Sequence, residues 1–178
     1  MVLTPASLAP LTLVLGGQRS GKSAYAESLI GHDRVAVYVA TAEAGDREMA
    51  ARIEIHRQRR GASWTTVEEP LDLAGALKAL DGGVPVLVDC LSIWAANLLA
   101  AGRDVAEETA GLVAVVKTLT FPVVMVSSET GLGVIPANAL ARAYLDAAGA
   151  MNQTVAAAAK RVVLVVAGIP VTVKEETS

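Results

Sequence analysis

The chain has 178 residues, of which 53% are hydrophobic and only 3% aromatic, so we expect one ordinary domain with a core of Ala, Val, Leu and Ile. The net charge of −3 offers no basic field, which argues against a nucleic-acid partner. The longest apolar runs are shorter than the roughly 20 residues that cross a bilayer, so no membrane span is expected. A single cysteine excludes an intramolecular disulfide and a cysteine-based zinc site. A cytoplasmic protein is the simplest expectation.

The first ten residues, MVLTPASLAP, contain two prolines and no positive charge. This composition lacks the features of a secretory signal. We expect residues 1–10 to form a short flexible N-terminal lead, followed by a single domain over residues 11–178.

The stretch GGQRSGKS follows an apolar run and precedes a helical pattern. It matches the phosphate-binding loop G-x-x-x-x-G-K-[ST], whose glycines let backbone N–H groups turn toward an anion at a helix N-terminus. A glycine- and serine-rich turn without a ligand is the alternative, but the lysine and the serine are both in register. We therefore predict a nucleoside-triphosphate site, with Mg²⁺ on Ser23, formed by Gly16, Gly17, Gln18, Arg19, Ser20, Gly21, Lys22 and Ser23.

Apolar runs alternate with helical patterns along the chain, which predicts a mostly parallel sheet with helices on its faces. A last run at residues 170–173 follows Gly168 closely enough to pair antiparallel at an edge. The pairs Gly82-Gly83, Ala101-Gly102 and Ala148-Gly149 are expected to mark turns. The predicted buried strands are residues 11–15, 35–39, 84–88, 123–126 and 162–166.

Ligands of such sheets bind beyond the carboxyl ends of the strands, so the residues that follow each run are candidates. Asp89 ends an apolar strand, where P-loop enzymes place a carboxylate for Mg²⁺; capping of the next helix is the alternative. Glu68 and Glu69 would reach a ribose or a base, or else mark a solvated helix start. The other residues at strand ends are Ala40, Thr41, Ala42, Cys90, Ser127, Ser128, Glu129, Ala167 and Gly168.

The segment DREMAARIEIHRQRR, residues 46–60, has a helical pattern with Asp46 as a suitable N-cap. It puts His56 at the edge of the apolar face, among arginines suited to bind phosphate. Their positive field favours a neutral imidazole, which is a nucleophile able to attack the α-phosphorus of a triphosphate. The pattern by itself favours the other interpretation, a surface histidine.

Several stretches occur in order over residues 11–174: GGQRSGKS, YVATAEAGDREMAARIEIH, WTTVEEP, VLVDCLSIWAANLL, SSETGLGVIP, LARAYLDAAGAMNQTVA and VVLVVAGIPVTVK. Together they resemble the CobU/CobP-type bifunctional adenosylcobinamide kinase and adenosylcobinamide-phosphate guanylyltransferase of cobalamin biosynthesis. The elements R-I-x-x-H, T-x-E-E-P, G-x-G-x-x-P and D-x-x-G-x-x-N-Q carry the resemblance more specifically than the phosphate loop. The fold class expected is α/β, P-loop NTPase-like (RecA-like), with an antiparallel C-terminal edge strand.

The resemblance implies two reactions on a corrinoid. Adenosylcobinamide is phosphorylated by ATP or GTP, and GMP is then transferred from GTP through a guanylyl-histidine. It further implies Mg²⁺ on Ser23 and Asp89 and a homotrimer with sites between subunits. The catalytic residues implied are His56, Lys22 and Asp89, and the nucleotide contacts beyond the phosphate loop are Ala40, Thr41, Ala42, His56, Arg57, Gln58, Arg59, Glu68 and Asp89.

One stretch departs from the family pattern. The family reads V-S-N-E-V-G, whereas this chain has VSSETG, with Ser128 and Thr130 at the changed positions. A serine hydroxyl is shorter than a carboxamide but keeps one donor and acceptor. His32 matches nothing in the pattern. Two rival functions are a kinase with one activity and a nucleotide-dependent switch or motor subunit.

Overall fold

A computed structural model describes residues 8–31, 33–42, 63–133 and 135–176. Its strands form one sheet in the order β3-β2-β4-β5-β1-β6-β7. Strands β1 to β6 are mutually parallel, and β7 pairs with β6 antiparallel. The expected mostly parallel sheet with an antiparallel C-terminal edge strand is confirmed. The strands are β1 (Leu11–Gly16), β2 (Ala36–Ala40), β3 (Trp64–Glu68), β4 (Val86–Asp89), β5 (Val123–Ser128), β6 (Arg161–Val166) and β7 (Ile169–Glu175).

Three of the five helices in the described ranges begin where a short polar side chain satisfies backbone N–H groups, and α1 (Lys22–Ile30) begins after a glycine that turns the chain. Asp72, Asp104 and Asn138 each cap a helix by accepting backbone hydrogen bonds in the first turn. Within the described ranges, no helix is long and apolar enough to cross a membrane. The helices are α1 (Lys22–Ile30), α2 (Leu73–Lys78), α3 (Leu91–Ala100), α4 (Val105–Val116) and α5 (Ala139–Ala158).

Alternating side chains of the central strands fill two cores, one on each face of the sheet. Leu13 packs in the same core as side chains of α2 to α5, whereas its neighbour Val14 packs with Ala26 and Ile30 of α1. Because strands buried on both faces need apolar residues at every position, their sequence is continuously apolar. For this reason the apolar runs predicted the bounds of β1, β4, β5 and β6 to within two residues at either end.

The sequence analysis missed strand β3. It forms the edge of the sheet beside β2, and only Trp64 is buried while Thr65 and Glu68 are exposed. An edge strand covered on one side carries few apolar residues, so WTTVE gave no apolar run. The final strand was found, but it extends beyond residues 170–173 at both ends.

The predicted turn at Ala148-Gly149 is wrong, because both residues lie inside α5. Ala148, Met151 and Val155 are buried on one side of that helix, and this helical repeat outweighs the unfavourable propensity of a single glycine. The turns at residues 82–83 and 101–102 are confirmed.

Two exposed glycines test how backbone conformation alone affects stability. Gly111 lies within α4, Gly102 has a φ of 69° after α3, and an added Cβ would meet nothing within 4 Å at either position. We expect Gly111→Ala to raise the free energy of unfolding by about 0.5–1 kcal/mol, because glycine loses more chain entropy in a helix. Gly102→Ala should lower it by about 1 kcal/mol, because alanine is strained at positive φ. Denaturant unfolding measures both, and equal shifts of the same sign would contradict this expectation.

Candidate functional site

The carboxyl ends of the six parallel strands meet at one edge of the sheet. In register, Gly16 of β1 pairs with Ser128 of β5, and Asp89 of β4 pairs with Ala40 of β2. Ala40 also pairs with Glu68 of β3, so Glu68 and Asp89 lie on the two strands that flank it. The fold thus brings the phosphate loop and four of the predicted strand-end segments to the same side.

The phosphate loop leaves β1 and enters α1 through two residues with left-handed backbone. Arg19 has a φ of 56° and Gly21 a φ of 95°, while the Ser20 N–H donates to the Gly17 carbonyl over 3.2 Å. Gly21 is the N-cap of α1 and has no side chain to accept from the first turn, which leaves those N–H groups for an anion. Gln18 and Arg19 are exposed on the outside of the loop.

Lys22 reaches back across the loop that carries it. Its ammonium donates to the Gly17 carbonyl over 3.1 Å, and the side chain is half-buried. The positive charge therefore lies over the backbone that the phosphates of a nucleotide would approach. Ser23 follows in the first turn of α1 and is half-buried as well.

The turn between β6 and β7 supports the phosphate loop from the side. The Gly168 N–H of this turn donates to the Ser20 carbonyl over 2.8 Å. A second contact comes from the residue after β5, where the Glu129 N–H donates to the Gly16 carbonyl over 3.1 Å. From the sequence, Gly168 is predicted only as a strand-end residue at the turn before the last strand. Its contact with the loop depends on β6 lying beside β1, which no local pattern reveals.

Asp89 ends β4 with its side chain half-buried, and Tyr38 of β2 donates a 3.2 Å hydrogen bond to its carboxylate Oδ2. The N-cap of α3 is Cys90, one residue further on, so the interpretation of Asp89 as the helix cap is not supported. The donor set of a serine hydroxyl and a carboxylate consists of hard oxygens, which fit Mg²⁺. Ser23 and Asp89 thus suit the metal expected beside a phosphate loop.

Thr41 faces the protein interior. Its side chain is fully buried, and the hydroxyl donates to the Cys90 carbonyl over 2.8 Å while accepting from the Cys90 N–H over 2.9 Å. The Asn97 amide donates to the Thr41 carbonyl over 2.8 Å. Of the three residues predicted to line the nucleotide site here, Ala40 is also buried and Ala42 is half-buried.

The two glutamates after β3 differ in their surroundings. Glu68 is exposed at the end of the strand, and Glu69 accepts from the backbone N–H groups of Leu71 and Asp72 over 2.9 and 2.7 Å. Glu69 therefore shapes the turn that leads into α2, in line with the interpretation of this pair as a helix start.

Cys90 is enclosed between the site and α3. Burial, and secondarily the charge of Asp89, raise the pKa of its thiol from 9.0 to about 11, and Lys22 lowers it slightly. The thiol Sγ lies 3.1 Å from the Ser92 hydroxyl.

Ser128, one of the two positions that depart from the family pattern, is fixed through its backbone. Its N–H donates to the Ser92 hydroxyl over 3.4 Å, and its carbonyl accepts from the Asn152 amide over 3.2 Å. Tyr144 donates to the Ser92 carbonyl over 3.2 Å. Two helices thus converge on the end of β5. Asn152, which the sequence presents only as part of the D-x-x-G-x-x-N-Q element, has its amide buried against this strand.

Four predicted features lie wholly or partly outside the described residues, and so does His32, for which no role was predicted. They are residues 1–7 of the lead predicted for residues 1–10, the candidate nucleophile, its flanking contacts and the helix predicted for residues 46–60. The individual residues concerned are His56, Arg57, Gln58, Arg59 and His32.

Residues 12–173 match the family described as "Cobinamide kinase / cobinamide phosphate guanyltransferase". The chain belongs to this family. It is therefore an enzyme of the bifunctional kinase and guanyltransferase type. The resemblance to the CobU/CobP-type enzymes is confirmed over nearly the whole chain.

Curated relatives agree with the family assignment. A protein of Pseudomonas aeruginosa, the bifunctional adenosylcobalamin biosynthesis protein CobP, is 46% identical over 168 residues, covering 92% of this chain and 97% of that protein. The Escherichia coli protein CobU, of the same description, is 40% identical over 180 residues, covering 92% of this chain and 99% of that protein.

Solved structures show the same fold at low identity. The P4 protein of bacteriophage phi6 in complex with ADP has a TM-score of 0.52 at 19% identity, covering 91% of this chain and 52% of that one. A type III secretion ATPase of pathogenic bacteria has a TM-score of 0.53 at 12% identity, covering 90% of this chain and 53% of that one. These neighbours confirm the P-loop NTPase-like fold class.

Proposed function

We propose that the protein phosphorylates adenosylcobinamide with ATP or GTP and then transfers GMP from GTP to adenosylcobinamide phosphate. The products of the second step are adenosylcobinamide-GDP and pyrophosphate. The observation that carries this proposal is the match to the family over residues 12–173, combined with a phosphate loop whose Lys22 lies over the loop backbone.

In the kinase step, the side-chain hydroxyl of the corrinoid attacks the γ-phosphorus. The O–P bond to the corrinoid forms while the bond to the β-phosphate oxygen breaks, and the hydroxyl proton leaves to solvent. Backbone N–H groups of residues 16–23 and the Lys22 ammonium would hold the phosphates. Ser23 and Asp89 would hold Mg²⁺, which when bound offsets the phosphate charge. The role of the protein in this step is mainly to align the reacting atoms.

In the transferase step, His56 attacks the α-phosphorus of GTP. A P–N bond forms, the bond to the β-phosphate oxygen breaks, and pyrophosphate leaves. A phosphate oxygen of adenosylcobinamide phosphate then attacks the same phosphorus, the P–N bond breaks, and the imidazole is regenerated. The support for His56 is the R-I-x-x-H element among arginines suited to phosphate.

We further propose that Arg57, Gln58, Arg59 and Glu68 contact the nucleotide, and that both reactions use the one phosphate loop.

A labelling experiment tests the histidine. Incubation with GTP labelled at the α-phosphorus should give an acid-labile, base-stable label on the wild-type protein, because phosphoramidates have that stability. The chain has two histidines, which supplies a matched control. His56→Ala should lose the label completely, whereas His32→Ala should keep it. A label that persists in His56→Ala would show another nucleophile, and an unlabelled wild type with full kinase activity would indicate a kinase with one function.

We also propose a cytoplasmic homotrimer whose sites lie between subunits. The outermost strand β7 supports an assembly, because Ile169 and Val173 are 66% and 63% exposed although both are apolar. Light scattering of the purified protein should then give about three times the 18.3 kDa of one chain. A monomeric mass at working concentration would contradict the assembly and leave the two reactions to be tested separately.

A further inference from the structure

We propose that Thr41 is a positioning residue for Asp89. Its hydroxyl fixes the backbone of Cys90, the residue that follows the aspartate, and so aims the carboxylate at the phosphate loop. This inference rests on the proposed function, in which Asp89 holds Mg²⁺.

The Thr41 hydroxyl satisfies both backbone groups of the residue next to Asp89. It donates to the Cys90 carbonyl over 2.8 Å and accepts from the Cys90 N–H over 2.9 Å, in a position with no solvent exposure. The Thr41 N–H also donates to the Asp89 carbonyl over 3.2 Å. Three hydrogen bonds from one residue therefore hold the Asp89–Cys90 unit. Valine has nearly the shape of threonine but cannot make the two hydrogen bonds of the hydroxyl, whereas serine can make both.

Thr41 is itself anchored from a separate element. Asn97 of α3 donates one amide hydrogen to the Thr41 carbonyl over 2.8 Å and another to the Pro70 carbonyl over 3.1 Å. Asn97 is half-buried and is one of two polar residues, with Ser92, in the mostly apolar helix stretch LSIWAANLLA. The ends of β2 and β3 are thus tied to α3, which itself begins directly after Cys90.

A second contact from β2 reaches the carboxylate directly. The Tyr38 hydroxyl donates to Asp89 Oδ2 over 3.2 Å, and Tyr38 lies three residues before Thr41. One strand therefore holds both the backbone that follows Asp89 and one of its carboxylate oxygens. Groups that orient a metal ligand typically contribute about 10–100-fold to metal affinity. We accordingly expect Thr41 to affect metal-dependent nucleotide binding more than nucleotide binding as such.

The test is the affinity for fluorescent mant-GDP, measured with Mg²⁺ and again with EDTA. The ratio of the two dissociation constants gives the gain in affinity that the metal provides. Thr41→Val should reduce this gain about 10-fold, while Thr41→Ser should keep it within about twofold because it retains the hydroxyl. Thr109→Val is the matched control, since the Thr109 hydroxyl is also buried but bonds to the Val105 carbonyl within its own helix, α4. It should leave the gain unchanged.

Asp89→Asn tests the metal role of Asp89 separately from the positioning role of Thr41. If Asp89→Asn removes the metal gain and folded Thr41→Val keeps it, the role of Thr41 is overturned. If Asp89→Asn keeps the gain, the proposed metal role of Asp89 is wrong. Tyr38→Phe provides a second variant should Thr41→Val fail to fold, since it removes one hydroxyl at little change in shape. It should reduce the metal gain several-fold, and an unchanged gain there would overturn the positioning of Asp89 by β2.

Discussion

Lys22→Ala is expected to lower both the kinase and the guanylyltransferase activity by about 100-fold or more. In both reactions the charge that develops on the phosphates would be stabilised by the same ammonium group. That group lies 3.1 Å from the Gly17 carbonyl, at the loop that would bind the phosphates. The two activities are measured separately, as transfer of the γ-phosphate to adenosylcobinamide and release of pyrophosphate from GTP.

The control for Lys22→Ala is Lys117→Ala, because Lys117 is an exposed lysine that ends α4 far along the chain from the loop. It should leave both activities unchanged. If Lys22→Ala lost only one activity, the two reactions would not share the phosphate loop. Circular dichroism of the variant establishes that the protein is folded.

Gly16→Ala is expected to destabilise the protein by about 1–3 kcal/mol and to lower its melting temperature by about 3–10 °C. An added Cβ would overlap the Ser20 side chain and lie 2.8 Å from the Val165 carbonyl oxygen. Since that oxygen belongs to the backbone of β6, relief of the overlap requires the loop to move. The displaced loop should also bind nucleotide at least about 10-fold more weakly, because small errors in the position of binding groups are costly.

The neighbouring glycine provides the control for stability. An added Cβ at Gly17 would meet nothing within 4 Å, so Gly17→Ala should melt within about 1 °C of the wild type. Thermal unfolding without nucleotide measures both variants. A Gly16→Ala protein as stable as Gly17→Ala would contradict the close approach of β1, the loop and β6.

The sequence by itself determined the phosphate loop, the buried strands and the family. In the loop, the glycines follow from local requirements, close approach of backbone at Gly16 and left-handed backbone at Gly21, and Lys22 and Ser23 follow the sequence pattern of a phosphate-binding loop. Buried parallel strands are likewise visible because every position is apolar. The edge strand β3 was not predicted, because a strand covered on one face needs few apolar residues. Its place in the sheet depends on β2 beside it.

Only the tertiary structure decided how the ends of the strands hold one another. Thr41 was expected to line the nucleotide site, yet its hydroxyl bonds to Cys90, 49 positions along the chain. Gly168 supports Ser20 across an even longer separation, and Tyr38 meets Asp89 because β2 and β4 are neighbours in the sheet. Such hydrogen bonds join residues distant in sequence whose local patterns are unremarkable, so they arise from strand order and register. Local patterns report what a residue needs from its immediate neighbours, whereas the partner of a buried hydroxyl is set by which strands the fold places side by side.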